Sequence, residues 1–232
     1  MLRPLVLLTS VVIPTMNEMA RLTATIADLR RTSGGGEIEI VVADGGSRDG
    51  TLAAARGLAD RTVEAPGGRA NQMHQGALAA TGDLILFLHA DTRLPDGWRG
   101  LLSAAWASRP RPGATAFRLR FDADKPVYRL IAALGNMRTR LTRVPHGDQA
   151  IACRREDYLR VGGFPSVPIM EEYFLLPKLA AIGPVVILDE SIETSTRRYE
   201  RNGPLFNALR NTAIIALFKA GVPPEKLRSF YT

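Results

Sequence analysis

Apolar runs alternate with amphipathic stretches through the first 90 positions. Val6–Ile13 is β-rich and stops at Pro14. Glu18–Arg31 carries apolar residues at helical spacing, Ile26 and Leu29 among them, and Gly34-Gly35-Gly36 closes it. Glu37–Ala43 (EIEIVVA) predicts a second strand, and it runs into a turn-rich Asp44–Gly50. Thr51–Ala59 predicts a helix, Thr62–Glu64 a short strand and Asn71–Ala80 an Ala-rich helix. Leu84–Leu88 (LILFL) is a continuous apolar run between Gly82-Asp83 and His89, the pattern of a strand buried on both faces. This β-α-β-α-β-α-β order predicts an α/β fold with a mostly parallel central sheet flanked by helices. In such sheets ligands bind beyond the carboxyl ends of the strands. Those ends carry PTMNE, ADGGSRDGT and HADT, so their polar residues are expected to meet at one edge.

Beyond Trp98 the pattern is mixed. Ala114–Phe121 alternates like a strand and Val127–Leu141 reads as a helix. Gln149–Cys153 predicts a short strand, and Glu171–Ile182 a helix in which Pro177 must occupy the first turns or cause a kink. Val185–Leu188 predicts a strand, Pro204–Ala220 a helix, and Pro223-Pro224 the start of a last short helix. No internal repeat or low-complexity linker interrupts the 232 residues, which favours a single domain.

Composition narrows the class. Hydrophobic residues make up 46% and charged residues 23%, which excludes disordered, collagen-like and disulfide-scaffold readings. The net charge is +7, and 26 of the 30 basic residues are Arg, the side chain suited to forked contacts with phosphate and carboxylate. The lone Cys153 permits no internal disulfide, and a reducing cytoplasm is the expected compartment. The N-terminal MLRPLVLLTSVVIP is read as a first buried strand rather than a signal peptide, because its apolar run is short and lacks a small-residue cleavage site. No stretch reaches the roughly 18 apolar residues of a membrane span.

Several residues carry candidate chemistry. Asp91, in His89-Ala90-Asp91, sits at the end of a buried strand, where a carboxylate is costly to desolvate without a cation or donor. Mg²⁺ or Mn²⁺ suits it, since these ions accept one or two protein carboxylates and complete their shell with phosphate oxygens and water. The competing reading is a cap for the turn before Pro95. In the Asp44–Thr51 turn, Asp44 and Ser47 can bind a ribose or base, while Asp49 and Thr51 suit capping of the next helix. Glu171-Glu172 reads either as a complement to a helix dipole or as a general base taking a hydroxyl proton. Arg69, after Gly67-Gly68 at a helix start, is a phosphate-facing position. Arg197, Arg198 and Arg201 cluster after Ser195-Thr196, and Gly147-Asp148-Gln149 can present polar groups to an acceptor. His74 and His146 are read as structural.

Together, Val12-Ile13-Pro14-Thr15-Met16-Asn17-Glu18, the DGGSRDGT segment, Gly82-Asp83, His89-Ala90-Asp91 and Glu171-Glu172 resemble, in order and spacing over roughly the first 200 residues, family 2 glycosyltransferases of the GT-A fold. More narrowly, GGRANQMHQGALAATGDLILFLHADTRLP, GDQAIACRRE, GGFPSVPIMEE and TSTRRYERNG are similar to a small bacterial subgroup of radical-SAM-associated, or arsenosugar-biosynthesis, glycosyltransferases. The resemblance implies a nucleotide-diphosphate sugar donor, a divalent metal (Mg²⁺ or Mn²⁺) and inversion at the anomeric carbon. It implies a nucleotide-binding half over 1–98 and an acceptor half over 99–232. Pro14, Asn17 and Glu18 would line the nucleotide pocket, with Asp44 as the first aspartate of the family's Asp-Asp-Gly-Ser turn. Arg69 would lie near the diphosphate, Asp83 at the ribose or metal edge, and Asp91 would be the metal-binding aspartate of Asp-x-Asp. Glu172 takes the place of the catalytic aspartate, and Arg198 would hold the departing diphosphate. This chain departs from the family pattern at Gly45 in place of the turn's second aspartate, at His89 in place of the first aspartate of Asp-x-Asp, and at Glu172, one methylene longer than Asp. His74 stands where the subgroup has Asn. His89 is thus a second candidate for the metal or a ribose, and Glu171 a second candidate for the base.

The rival class is a basic nucleic-acid- or anion-binding α/β protein without transferase activity. Only 6% aromatic residues and no recognition motif argue against nucleic acid. A dinucleotide fold or a P-loop would need glycine patterns that PTMNE lacks. The acceptor, lipid or small molecule, is left open. The apolar positions Leu205, Phe206, Leu209, Ile214, Ile215, Leu217 and Phe218, with Arg210 and Lys219, allow the C-terminal helix either to dock on the core or to touch a membrane peripherally.

Overall fold

The computed structural model describes residues 7–34 and 37–230. One eight-stranded sheet runs through the molecule. Its strands are β1 (Thr9–Thr15), β2 (Ile38–Asp44), β3 (Arg61–Glu64), β4 (Leu84–Phe87), β5 (Thr92–Arg93), β6 (Ala114–Phe121), β7 (Ala152–Arg154) and β8 (Val185–Thr194). They lie side by side in the order β3-β2-β1-β4-β7-β6-β8-β5. The expected parallel block is present: β1 pairs with β2 and β4, and β2 with β3, all parallel. β7 then enters antiparallel between β4 and β6, β8 runs parallel to β6, and the two-residue β5 closes the far edge antiparallel to β8.

Period-two alternation sends the strand side chains to two layers. On one face Val11, Ile13, Ile40, Val42, Leu86 and Phe117 pack beneath helices α1 (Met19–Thr32), α2 (Thr51–Leu58), α4 (Trp98–Ala107) and α5 (Pro126–Thr142). On the other, Val12, Val41, Ile85 and Phe87 meet α3 (Arg69–Ala79), α6 (Arg155–Arg160) and α7 (Glu172–Ala180). The chain ends in α8 (Arg197–Asn202), α9 (Pro204–Lys219) and α10 (Pro224–Leu227). A third, smaller cluster joins Ile169 and Met170, ahead of α7, to Ile214 of α9 and Leu227 of α10.

The predicted elements are present with shifted ends. β1 continues through Pro14 to Thr15 instead of stopping there. Val12 accepts the Leu88 N–H from the β4 side and Thr15 accepts the Gly45 N–H from the β2 side, so Pro14 faces β4. The β1–β4 ladder ends at Val12↔Phe87, where Pro14 has no N–H to continue it. The predicted strand start at Val6 and the glycines Gly35 and Gly36 lie outside the described residues. Gln149 belongs to a 3₁₀ turn (Gly147–Gln149), and the strand begins only at Ala152. Pro177 sits inside α7 rather than in its first turn. β8 extends six residues beyond the predicted Leu188.

Candidate active site

The carboxyl ends of β1, β2 and β4 do converge. Asn17, in the left-handed region (φ 56), receives the Arg48 N–H on its side-chain oxygen at 2.8 Å and donates its own N–H to Ser47 Oγ at 2.8 Å. Asn tolerates that backbone conformation better than most residues, so the first two loops are stitched together at these two positions. Asp44 is 1% exposed and accepts from the Gly46 and Ser47 N–H groups and from the Ser47 and Thr15 hydroxyls. Burial alone would raise its pKa, but the Ser47, Gly46 and Thr15 hydrogen bonds reverse that and hold the carboxyl below its usual range. Asp49 accepts the Thr51 and Met19 N–H groups and so ties the starts of α1 and α2, while the N-cap of α2 is Gly50 and Thr51 is its first helical residue.

Gly45 has a physical reason. A Cβ there would stand 2.6 Å from Nε2 of Gln72, which donates to the Thr15 carbonyl from the buried side of α3. Gln72 thus occupies the space that a second aspartate in the turn would need, and it ties β1 to α3. The lone polar side chain on a buried helix face was the available signal for it.

Glu18 is clasped by two guanidinium groups, Arg21 at 3.2 Å and Arg197 of α8 at 2.6 Å. That contact brings the start of α8, and with it Arg198, to the β1 end of the sheet. Asp91 lies close by. Burial, then the neighbouring Glu18 charge, raise its pKa, while Arg197, Arg198 and Arg21 oppose the rise. Its half-buried carboxylate makes no hydrogen bond or ion pair with the described residues. The turn that carries it is held by Thr25, whose hydroxyl donates to the Ala90 carbonyl, and by the Thr92 N–H on the His89 carbonyl.

His89 is half-buried, and its buried Nε2 has no hydrogen-bond partner among the described residues. Burial first, then the Arg69 and Arg198 charges, push its pKa down to about 3, so the imidazole is neutral. It shares a corner with Gly147 and Glu172: a Cβ on Gly147 would stand 2.6 Å from Glu172 Oε1 and 3.2 Å from His89 Nε2. The absent side chain lets the Gly147 N–H donate to Glu172 Oε1 at 2.7 Å.

The acidic pair divides its roles. Glu171, 1% exposed, accepts from Arg69 Nε at 2.7 Å. Glu172, also buried, has the Arg69 guanidinium only at 3.7 Å. Burial, followed by the adjacent Glu171 charge, pushes the Glu172 carboxyl up to about 7, with Arg69 acting against the rise. Met170, just before the pair, takes a positive φ of 68°. That conformation costs a non-glycine residue about 1–2 kcal/mol, and packing of Met170 against Ile214 and Leu227 helps to hold it.

Asp148 is half-buried near Arg138, Arg69 and Arg198, with its pKa raised by burial against those three charges. Two expected positions fall elsewhere. Asp83 precedes β4, at the amino end of the strand whose carboxyl end carries His89 and Asp91. It accepts the Leu8 N–H at the start of β1, so it is a structural residue on the opposite edge of the sheet. Gln149 is 2% exposed and fully engaged, donating to the Phe117 carbonyl and accepting from Thr139 Oγ1 and the His146 N–H. It shapes the Gly147 turn from behind and is not available to an acceptor. His74 bonds the Tyr158 hydroxyl at 3.0 Å, and His146 contacts Arg138 and Tyr173, both as structural residues. The Arg201 side chain lies outside the described residues.

Arg69, His89, Asp91, Asp148, Glu172 and Arg198 are thus linked through the Arg69 and Arg198 charges, and a cleft of about 380 Å³ next to Arg69 is bordered by Gly67, Gly68, Ser166, Val167, Pro168, Glu225 and Arg228. Among the described residues no group of three His, Cys, Asp or Glu side chains is arranged to enclose a metal ion. The donor set still fits a hard divalent cation that takes one unpaired carboxylate, Asp91, and completes its shell with ligand oxygens and water.

The profile of the family described as Glycosyl transferase family 2 matches residues 10–162. An uncharacterized glycosyltransferase of Mycobacterium tuberculosis (strain CDC 1551 / Oshkosh) is 38% identical over 88 residues, which is 36% of this chain. The match spans only about a third (34%) of that relative's length. Among solved structures, a mannosyltransferase of Pyrobaculum calidifontis in complex with GDP-Man and Mn²⁺ superposes with a TM-score of 0.67 at 22% identity, over 98% of this chain and 69% of that one. Glucosyl-3-phosphoglycerate synthase of M. tuberculosis, in complex with Mn²⁺, UDP and glucosyl-3-phosphoglycerate, superposes at 0.59 and 20% identity, over 94% and 81%. These neighbours establish the GT-A fold, and the profile match over most of the sequence establishes that the chain belongs to glycosyltransferase family 2.

Proposed function

We propose that the protein transfers a sugar from a nucleoside diphosphate donor to a hydroxyl group of an acceptor, with inversion at the anomeric carbon, and that Glu172 is the general base. The observation that carries this reading is the state of Glu172: a buried carboxyl, pushed up to about 7, oriented by the Gly147 N–H and with the Arg69 guanidinium at 3.7 Å. A base poised near neutrality suits removal of a hydroxyl proton. The acceptor O–H proton passes to Glu172 as the new C1–O bond forms and the C1–O bond to the diphosphate breaks. Glu171 is the less suitable base because its carboxylate is held by Arg69.

Asp91 is the residue assigned to hold Mg²⁺ or Mn²⁺, which when bound would neutralise charge on the diphosphate. Two solved neighbours hold Mn²⁺ together with a nucleotide, which supports a divalent metal as part of this reading. Arg69 and Arg198 add fixed positive charge on the same side. Asn17, Glu18, Asp44 and Ser47 form the nucleotide end. Asp44 acts there by shaping its loop, since its own turn occupies its oxygens. Asp148 is retained as the acceptor-side polar group.

Two tests follow. A thermal-shift screen of UDP, GDP, CDP and dTDP, each with and without Mn²⁺, is expected to give one nucleotide whose stabilisation needs the metal. Ligand at 100 times its Kd adds about 2.7 kcal/mol, so failure of every nucleotide at millimolar concentration would overturn the donor assignment. Gly147→Ala is expected to lower kcat on the order of 100-fold, because the added methyl displaces the Glu172 carboxyl and a shift of about 1 Å at a reacting group costs that much. Unchanged kcat would remove Gly147 from the site.

A further inference from the structure

Two long helices leave the rim of the cleft and turn apolar faces to water. On α5, Leu130, Leu134, Met137 and Leu141 recur at intervals of four and three residues and so form one stripe, each between 52% and 78% exposed. On α9, Leu205, Phe206 and Leu209 are 59–71% exposed, while Asn207 and Ile214 are buried. The two helices touch one another. The docking face of α9 is thus already satisfied, and its other face is surplus to the fold. A soluble chain rarely leaves so much large apolar surface open without a partner for it.

Charge identifies the partner. Neither α5 nor α9 contains a single Asp or Glu, whereas Arg129, Arg140 and Lys219 are exposed on them; Arg138 turns inward to His146, and Arg129 also lies 3.6 Å from Asp124 just ahead of α5. Arg129 and Arg140 are exposed and flank one side of the α5 stripe. A second copy of the chain laid on this face would bring cations against cations. An anionic bilayer surface offers acyl chains to the leucines and phosphates to the arginines.

We propose that α5 and α9 form a peripheral docking face for an anionic lipid bilayer. Neither helix is long and apolar enough to cross a membrane, so the chain would lie on the surface. α5 leads into the His146–Gln149 turn and α9 follows α8, so docking would hold the acceptor rim of the cleft at the headgroups. A lipid-borne hydroxyl would then be the acceptor class. That last clause rests on the sugar-transfer reading, and the docking itself does not.

The test is flotation of the full chain with vesicles of phosphatidylcholine alone or mixed with phosphatidylglycerol, without donor or acceptor. The expected result is binding to the anionic vesicles only, weakening as salt rises. The combined Leu130→Gln, Leu134→Gln, Met137→Gln variant should lower the bound fraction about tenfold. Arg129→Gln with Arg140→Gln should lower it too and leaves the stripe intact, so it decides the matter if the first variant misfolds. No binding at low salt, equal binding by the folded variants, or a solution dimer dissolved by the leucine substitutions would each overturn the proposal. Vesicle binding by a protein with no transfer activity would sustain the docking face and sink the sugar-transfer reading alone.

Discussion

Glu172→Gln is expected to lower sugar transfer by on the order of 100- to 10,000-fold and to raise the melting temperature at the same time. Glutamine keeps an oxygen for the Gly147 N–H but cannot take a proton. The stability gain follows from linkage. The carboxyl titrates near 4.5 when unfolded and about 7 when folded. Between those values the folded chain binds more protons, so stability falls as pH rises through the window, and the whole cost is present above about pH 7. Its size is on the order of 3 kcal/mol, which corresponds to roughly 6–12 °C for a chain of this length. The variant should therefore melt higher than the parent at pH 8, and the gap should close below about pH 4.5. In the parent, kcat/KM should climb through about pH 7 as Glu172 loses its proton. A variant that is more stable yet fully active would show that the burial is real and the role is not.

Asp91→Ala is expected to cost on the order of 100- to 1000-fold in transfer without harming the fold. The carboxylate is half-buried, its pKa is raised by burial and by Glu18, and it accepts no hydrogen bond from the described residues. Its removal therefore relieves desolvation and breaks no network, so the ligand-free melting temperature should hold or rise. What should vanish is the Mn²⁺-dependent part of the nucleotide thermal shift. A metal-dependent shift that survives the substitution would place the cation elsewhere, and His89 would then be the next residue to change.

The parallel block and the meeting of three loops were legible because Leu84–Leu88 is an uninterrupted apolar run, Val11–Ile13 and Ile40–Ala43 give the first two strands apolar centres, and each loop follows a carboxyl end. Asp83 could have been placed by the same logic: it comes before LILF, so it had to lie at the other edge. Gln149 was harder. Its three partners, Phe117, Thr139 and His146, come from β6, α5 and its own turn, and only the tertiary fold brings them around one amide. β5 is two residues long, below anything periodicity can detect. α4 was readable in principle, since Trp98, Leu102 and Trp106 recur every fourth residue. The division of labour between Glu171 and Glu172 needed Arg69, which lies about a hundred positions away in sequence.

The path of the sheet has one more consequence. Thr92 and Arg93, from the first half of the chain, pair with Thr194 and Glu193 at the carboxyl end of β8 in the second. The two halves are laced rather than stacked. A chimera that replaces residues 99–232 with those of another family member would have to preserve this two-residue hem, or leave the end of β8 open to pairing with other chains.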